Sequence, residues 1–200
     1  YDRKEIKDLI AWLRVMQNPN DSVSLQRIVH VPKRGIGKTT LEKIANLAAA
    51  HEMPNFEIMA RSHEFADLKR ASSNLKEFVG LVSELRAEIA SFELDALVEE
   101  LLIKSGMMRE LKAEATEEAA TRIENVKEFI SVAKEFSLIT EDEPNLENFL
   151  AHISLVADID ALPDEEMDRL VLMTVHSAKG LEFPVVFLTG LEEGVFPSYR

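Results

Sequence analysis

Leu75, Phe78, Val79, Val82, Leu85, Ile89 and Phe92 recur at helical spacing, and so do Leu94, Leu97, Val98, Leu101 and Leu102, then Ile123, Val126, Ile130 and Ala133. Such stripes commit most of this chain to helices that bury one face, so the fold class reads as mainly α. Stop and start signals divide the helices. Asn18-Pro19-Asn20-Asp21-Ser22 reads as a loop with caps, Ser105-Gly106 closes a helix, Thr116-Glu117-Glu118 opens one, and Glu141 to Asn145 separates two more. The pattern changes after Leu162. Pro163-Asp164-Glu165-Glu166 is a linker-like acidic stretch, and beyond it Val171 to Val175 and Val185 to Leu188 are short apolar runs rich in β-branched residues. Runs of that kind suit strands buried on both faces of an α/β sheet. Two strands do not make a stable domain, so they require a sheet from elsewhere. The chain therefore reads as a helical insertion with pieces of a host domain left at both ends.

Composition narrows the class of partner. The 200 residues carry no cysteine, which excludes disulfides and thiolate metal sites and fits a reducing cytoplasm. No apolar run approaches the roughly 18 residues of a membrane span. Tyr1-Asp2-Arg3-Lys4 carries neither an initiator Met nor a signal peptide, as expected of a piece of a longer protein. A net charge of -13 opposes wholesale coating by nucleic acid. Local charge runs the other way between Arg27 and Lys43, where Arg27, Lys33, Arg34, Lys38 and Lys43 against Glu42 alone give a net +4. Such a window is either a solvated surface or a contact for an anion.

That window contains Lys33-Arg34-Gly35-Ile36-Gly37-Lys38-Thr39-Thr40, whose GKTT resembles the end of a phosphate-binding P-loop. The P-loop requires a glycine where Pro32 stands, and proline has no N–H for the phosphate cradle. A P-loop enzyme also needs a Mg²⁺ carboxylate at the end of a buried strand, and the two apolar runs end in His176 and Thr189. The alternative is a hairpin between helices. Residues 24–31 form a short helix or extended lead-in, Pro32 stops it, Gly35 and Gly37 allow φ > 0, and Thr39 or Thr40 caps the helix carrying Leu41, Ile44 and Leu47. A hairpin of this kind aims unpaired N–H groups and a helix N-terminus at one point, beside Lys33, Arg34 and Lys38. It suits a DNA backbone phosphate and would read position with no base sequence. An ordinary glycine turn fits the spacing equally well.

The segment VPKRGIGKTTLEKI resembles the GIG hairpin of the duplex-contacting 2B subdomain in superfamily 1 ATP-dependent DNA helicases of the UvrD/PcrA/Rep type. DRKEIKDLIAWLRV is similar to the last helix of their 2A motor domain before 2B interrupts it, TRIENVKEF to a helix within 2B, and LMTVHSAKGLEFPVVFLTGLEEGVFP to motif V where the chain re-enters 2A. The resemblance covers essentially the whole chain in order. It implies residues 1–17 as the end of the first part of 2A, 18–165 as a helical 2B subdomain with a helix-hairpin-helix-like GIG motif, and 166–200 as the β-rich start of the second part of a RecA-like α/β domain.

The implied parent hydrolyses ATP with Mg²⁺ and moves 3′ to 5′ along single-stranded DNA, unwinding duplex in repair or replication within a bacterial cytoplasm or nucleoid. Its partners would be duplex and single-stranded DNA, the 1A, 1B and 2A domains, and repair or replication proteins. The phosphate loop, Mg²⁺ carboxylate and γ-phosphate arginines would lie outside residues 1–200, so no catalytic residue and no bound cofactor is expected in this chain. The resemblance places Gly35, Ile36 and Gly37 at the duplex contact, flanked by Lys33, Arg34, Lys38 and Thr39. It places His176 on single-stranded DNA and Glu182, reached through the turn at Gly180, on the nucleotide ribose.

Other groupings carry less. His51 and Glu52 with His63 and Glu64 lack the one-face spacing of a helical metal site, and Asp158 and Asp160 lack the glycine and downstream glutamate of a calcium loop. Phe129, Phe136 and Phe149 sit in core stripes and mark no stacking platform. A helical protein-docking module without DNA contact is the rival reading, favoured by the acidic surface.

Overall fold

The computed structural model describes residues 3–140, 143–160, 172–175, 178–179 and 181–191, with side chains given to residue 156 in the last helix. The chain divides into two units, Tyr1–Ile159 and Asp160–Arg200. Among the described residues, the first unit is helical throughout: α1 (Lys4–Gln17), α2 (Ser22–Ile28), α3 (Lys38–His51), α4 (Asn55–Ala60), α5 (Ser72–Glu88), α6 (Leu94–Lys104), α7 (Met107–Glu114), α8 (Glu117–Ile139) and α9 (Leu146–Asp160). Short 3₁₀ turns at Ser62–Glu64 and Ala66–Leu68 lead into α5.

Helix α1 is the hub. Ile6, Leu9, Ile10, Trp12, Leu13, Val15 and Met16 are all buried, so apolar residues cover nearly its whole circumference and neighbours surround it. It packs against α2, α5, α6 and α8. Its two buried carboxylates are satisfied. Asp8 pairs with Arg27 of α2 at 2.6 Å, and Glu5 accepts from Asn125 Nδ2 of α8 at 2.6 Å, while Arg3 Nη1 donates to Asn125 Oδ1. These polar ties fix how α2 and α8 sit on α1, because an unpaired carboxylate at those depths would be costly. Arg86 of α5 donates to Met16 O at 2.9 Å and so completes the C-terminal end of α1.

Local signals set the helix boundaries. Asp21 caps α2, its carboxylate accepting from Val23 N and Ser24 N, both at 3.1 Å. Thr116 caps α8 through Ala119 N at 3.1 Å. Gly106, at φ 82, turns the chain from α6 into α7. The stripe along α5 is buried at Leu75, Phe78, Val82 and Leu85, whereas Phe92 lies beyond the helix and is 40% exposed. Phe149 of α9 is fully buried against Phe129 and Phe136 of α8, with ring centroids 5.8 and 5.4 Å away.

In the second unit no strand is present among the described residues. Leu172 and Val175 of the first apolar run and Val185, Val186, Phe187 and Leu188 of the second are exposed; Val171 lies outside the described residues. The physical reason is that a strand exists through its ladder, and an apolar run without a paired neighbour has nothing to donate to.

Candidate nucleic-acid interface

The segment between α2 and α3 is held from the inside by three residues. Trp12 Nε1 donates to Val31 O at 3.0 Å, next to the cis Val31–Pro32 peptide. Arg34 turns inward. Its Nη1 donates to Pro32 O and its Nη2 to Ser105 O, both at 2.7 Å, and its guanidinium lies 5.1 Å from the Trp12 ring centroid and 5.7 Å from that of Phe78. Ile36 then plugs the hairpin into the core at 3% exposure. Burial pushes the Arg34 guanidinium down to about 10, partly opposed by Glu110 and Glu77, so it remains a cation at neutral pH.

With Arg34 and Ile36 committed inward, Lys33, Gly35, Gly37, Lys38 and Thr39 are the exposed residues of the hairpin. Gly35 has φ +70, a conformation that favours glycine, and a Cβ there would lie 2.6 Å from Asn74 Nδ2, so any other residue would also displace the Asn74 side chain. Gly37 differs from expectation. It has φ −89 and ψ 170, which any residue adopts, and nothing lies within 4 Å of a Cβ at that position. It is the N-cap of α3 and offers no side-chain cap, while Thr39 and Thr40 lie inside the first turn and do not cap it. The earliest bonds of that helix are Thr40 N and Leu41 N to Gly37 O. Among the described residues, no acceptor takes the N–H groups of residues 35–39. A row of unpaired donors at an exposed helix N-terminus favours an anion.

The positive window is smaller in space than in sequence. Arg27 is paired with Asp8, Arg34 is bonded to two carbonyls, and Lys43 Nζ donates to Asp67 O at 3.2 Å. Lys33 and Lys38 are exposed and have no partner among the described residues. These two lysines flank the unpaired N–H groups.

His176 and Gly180 lie outside the described residues, and Glu182 is exposed in the second unit. No group of metal-ligating side chains occurs among the described residues; His51 stacks on Phe65 at 5.2 Å. Sequence reasoning did not identify Trp12, Phe78 and Ser105 as the slot that holds Arg34, nor Asn74 as the neighbour of Gly35. The one available signal was Trp12, the single tryptophan of the chain.

Residues 1–200 match the UvrD-like helicase C-terminal domain family. The chain is 46% identical over 205 residues to the ATP-dependent DNA helicase PcrA of Bacillus subtilis (strain 168), covering all of this chain and 28% of that protein. It is 44% identical over 201 residues to the PcrA helicases of Staphylococcus aureus (strain Mu50) and Staphylococcus epidermidis, again over all of this chain and 27% of each of those proteins. The chain thus spans less than a third of the length of these relatives.

Proposed function

The chain belongs to the UvrD-like helicase C-terminal domain family, and we propose that its helical unit is the 2B-type duplex-contacting module of an ATP-dependent DNA helicase. In this reading residues 18–165 form that module, residues 1–17 end the first part of motor domain 2A, and residues 166–200 resume it. The observation that carries the reading is the division of labour in the hairpin. Arg34 and Ile36 fasten it from within, while Gly35, Gly37, Lys38 and Thr39, whose N–H groups have no acceptor among the described residues, are exposed beside Lys33. A backbone phosphate supplies the acceptors that those donors lack, and the two lysines add charge without base selectivity.

The mechanism follows from that geometry. The hairpin holds duplex DNA by its backbone, so the same contact serves any sequence as the duplex advances. The contacts of Arg34 with Pro32 O, Ser105 O, Trp12 and Phe78 tie the hairpin that carries the donors to the helical core. In the complete protein, hydrolysis of ATP, with Mg²⁺ as cofactor, would supply the energy of translocation and unwinding. Glu182, exposed on this chain, has the chemistry to accept from a ribose hydroxyl, and His176 is the proposed single-strand contact. In this reading the groups that cradle the phosphates and hold Mg²⁺ lie elsewhere in the protein, so this chain alone is expected to be inactive as an ATPase. The implied location is the cytoplasm.

A second reading is a helical docking module, favoured by the exposure of Val23, Ile103 and Leu138 at 79, 68 and 77%. A salt titration of duplex binding separates the two. Phosphate contacts give an affinity that falls steeply with salt, whereas a docking module binds no duplex at any salt concentration.

A further inference from the structure

We infer that the turn between α6 and α7, Ser105-Gly106, is a positioning element of the duplex contact and acts through Arg34. The inference rests on the hairpin reading above and adds no new contact with DNA. Ser105 is 5% exposed and Gly106 is buried, so neither reaches a ligand on the outer surface. Their influence runs inward. Ser105 O accepts from Arg34 Nη2 at 2.7 Å, and Gly106 lies against the base of the hairpin, where a Cβ would come 3.7 Å from Pro32 Cγ.

Of the contacts that hold Arg34, the bond to Ser105 O is the one that sets direction. The bond to Pro32 O lies within the hairpin and moves with it. The rings of Trp12 and Phe78, with centroids 5.1 and 5.7 Å from the guanidinium, attract it without the directionality of a hydrogen bond. Burial of Ile36 is likewise non-directional. Trp12 Nε1 fixes Val31 O, on the entry side of Pro32. Beyond Pro32, the hydrogen bond from Arg34 to another element is the one to Ser105 O, and it aims the guanidinium together with the adjoining Gly35.

Gly106 sets where that carbonyl points. The Ser105–Gly106 peptide takes its orientation from ψ −23 of Ser105 and φ +82 of Gly106, a left-handed angle that favours glycine. A residue that relaxes to negative φ rotates this peptide and carries Ser105 O away from Arg34. The turn itself is braced. Met107 N donates to Ser105 Oγ at 3.3 Å, and Leu102 and Met107 on either side are 1% and 4% exposed. The cation at this end of α6 comes from the hairpin because the helix's own is engaged elsewhere: Lys104, in the last turn, is held by Glu84 and Glu88 at 2.6 Å and by Glu100 at 3.3 Å.

The test is a double-mutant cycle in the full-length protein. The parent, Gly106→Ala, Arg34→Ala and the double variant are each titrated with a blunt duplex and with a single strand of the same length. The readout is the ratio of duplex to single-strand affinity, which loss of folded protein alone leaves unchanged. The expected result is a ratio lower by about five-fold in Gly106→Ala and about ten-fold in Arg34→Ala, with the double variant no lower than Arg34→Ala. Where Gly106→Ala does not fold, Gly106→Asn, which tolerates a left-handed angle better, takes its place with an expected loss of about two-fold. A parental ratio in the Gly106 or Arg34 variant, or losses that multiply in the double variant, overturns this inference. Lys33→Ala/Lys38→Ala separates that outcome from failure of the hairpin reading: its ratio should fall by about ten-fold, and a parental ratio there overturns the hairpin reading itself.

Discussion

The guanidinium of Arg34 lies 5.1 Å from the centroid of the Trp12 ring, and the same indole donates from its Nε1 to Val31 O at 3.0 Å. One tryptophan of α1 therefore holds the segment leading into the glycines at two points, Arg34 by its face and Val31 by its edge. The arginine next to Gly35 is used to build the loop, and the outer surface is left to backbone donors and lysines.

Arg34→Ala should lower stability by about 2 kcal/mol, because Pro32 O and Ser105 O lose charge-assisted donors and the rings of Trp12 and Phe78 lose their cation. Arg34→Lys should recover roughly half of this, since an ammonium lacks the planar fork that reaches two carbonyls at once. Urea unfolding followed by the emission of Trp12, the only tryptophan, measures both. Unchanged midpoints in both variants would show that the slot contributes nothing.

The two hairpin glycines should respond differently. Gly35→Ala places a Cβ at φ +70 and against Asn74, and should cost about 1 to 2 kcal/mol. Gly37→Ala meets open space at φ −89 and should cost only about 0.5 kcal/mol, the penalty of alanine against glycine at an N-cap. Thermal unfolding of the two variants side by side checks the contrast, which vanishes if Gly35 owes nothing to its conformation.

Asp21 links the second helix to pH. Burial raises its carboxyl, but donation from Ser24 Oγ and from the N–H groups of Ser24 and Val23 outweighs that and holds it below the usual aspartate range. A carboxyl depressed in the folded state stabilises above its unfolded pKa of about 3.9, and the contribution disappears as pH falls through the folded value. Asp21→Ala should therefore cost about 1 kcal/mol at pH 7, and the gap from the parent should narrow below about pH 4. A gap that stays constant down to pH 2 would contradict the charged cap.

In the full-length protein, Glu182→Gln should weaken nucleotide binding by roughly ten-fold or more, since a charge-assisted hydrogen bond to a ribose hydroxyl is worth about 1.5 to 3 kcal/mol. His176→Ala should spare nucleotide binding and reduce the stimulation of hydrolysis by single-stranded DNA. Fluorescent-nucleotide titration with steady-state ATPase assays distinguishes them. A reversed pattern would remove both assignments.

What the sequence made legible was what short-range chemistry decides. Asp21 and Thr116 cap the helices they precede, Ser105-Gly106 ends α6, and the stripe residues Leu75, Phe78, Val82 and Leu85 are buried. Arg34 shows where local reading stops. Beside two glycines it resembles a surface cation, and only the meeting of Trp12, Phe78 and Ser105 from three separate helical regions creates the slot that draws it in. Gly37 failed for the complementary reason. Glycine at an N-cap satisfies the helix without a positive φ, so residue type alone did not reveal its backbone angle.

The central claim is that the exposed N–H groups around Gly37 hold a duplex phosphate. Valine is compatible with φ −89 and ψ 170 and its Cβ meets nothing within 4 Å, so Gly37→Val is expected to keep the fold while crowding the donors with two methyl groups. The most direct test measures the affinity of full-length Gly37→Val for duplex and for single-stranded DNA at one salt concentration, with thermal unfolding as the control. The predicted result is an unchanged unfolding midpoint, duplex binding weaker by about ten-fold and single-strand binding within two-fold of the parent. Equal losses on the two substrates, or full duplex affinity in the folded variant, would contradict the account.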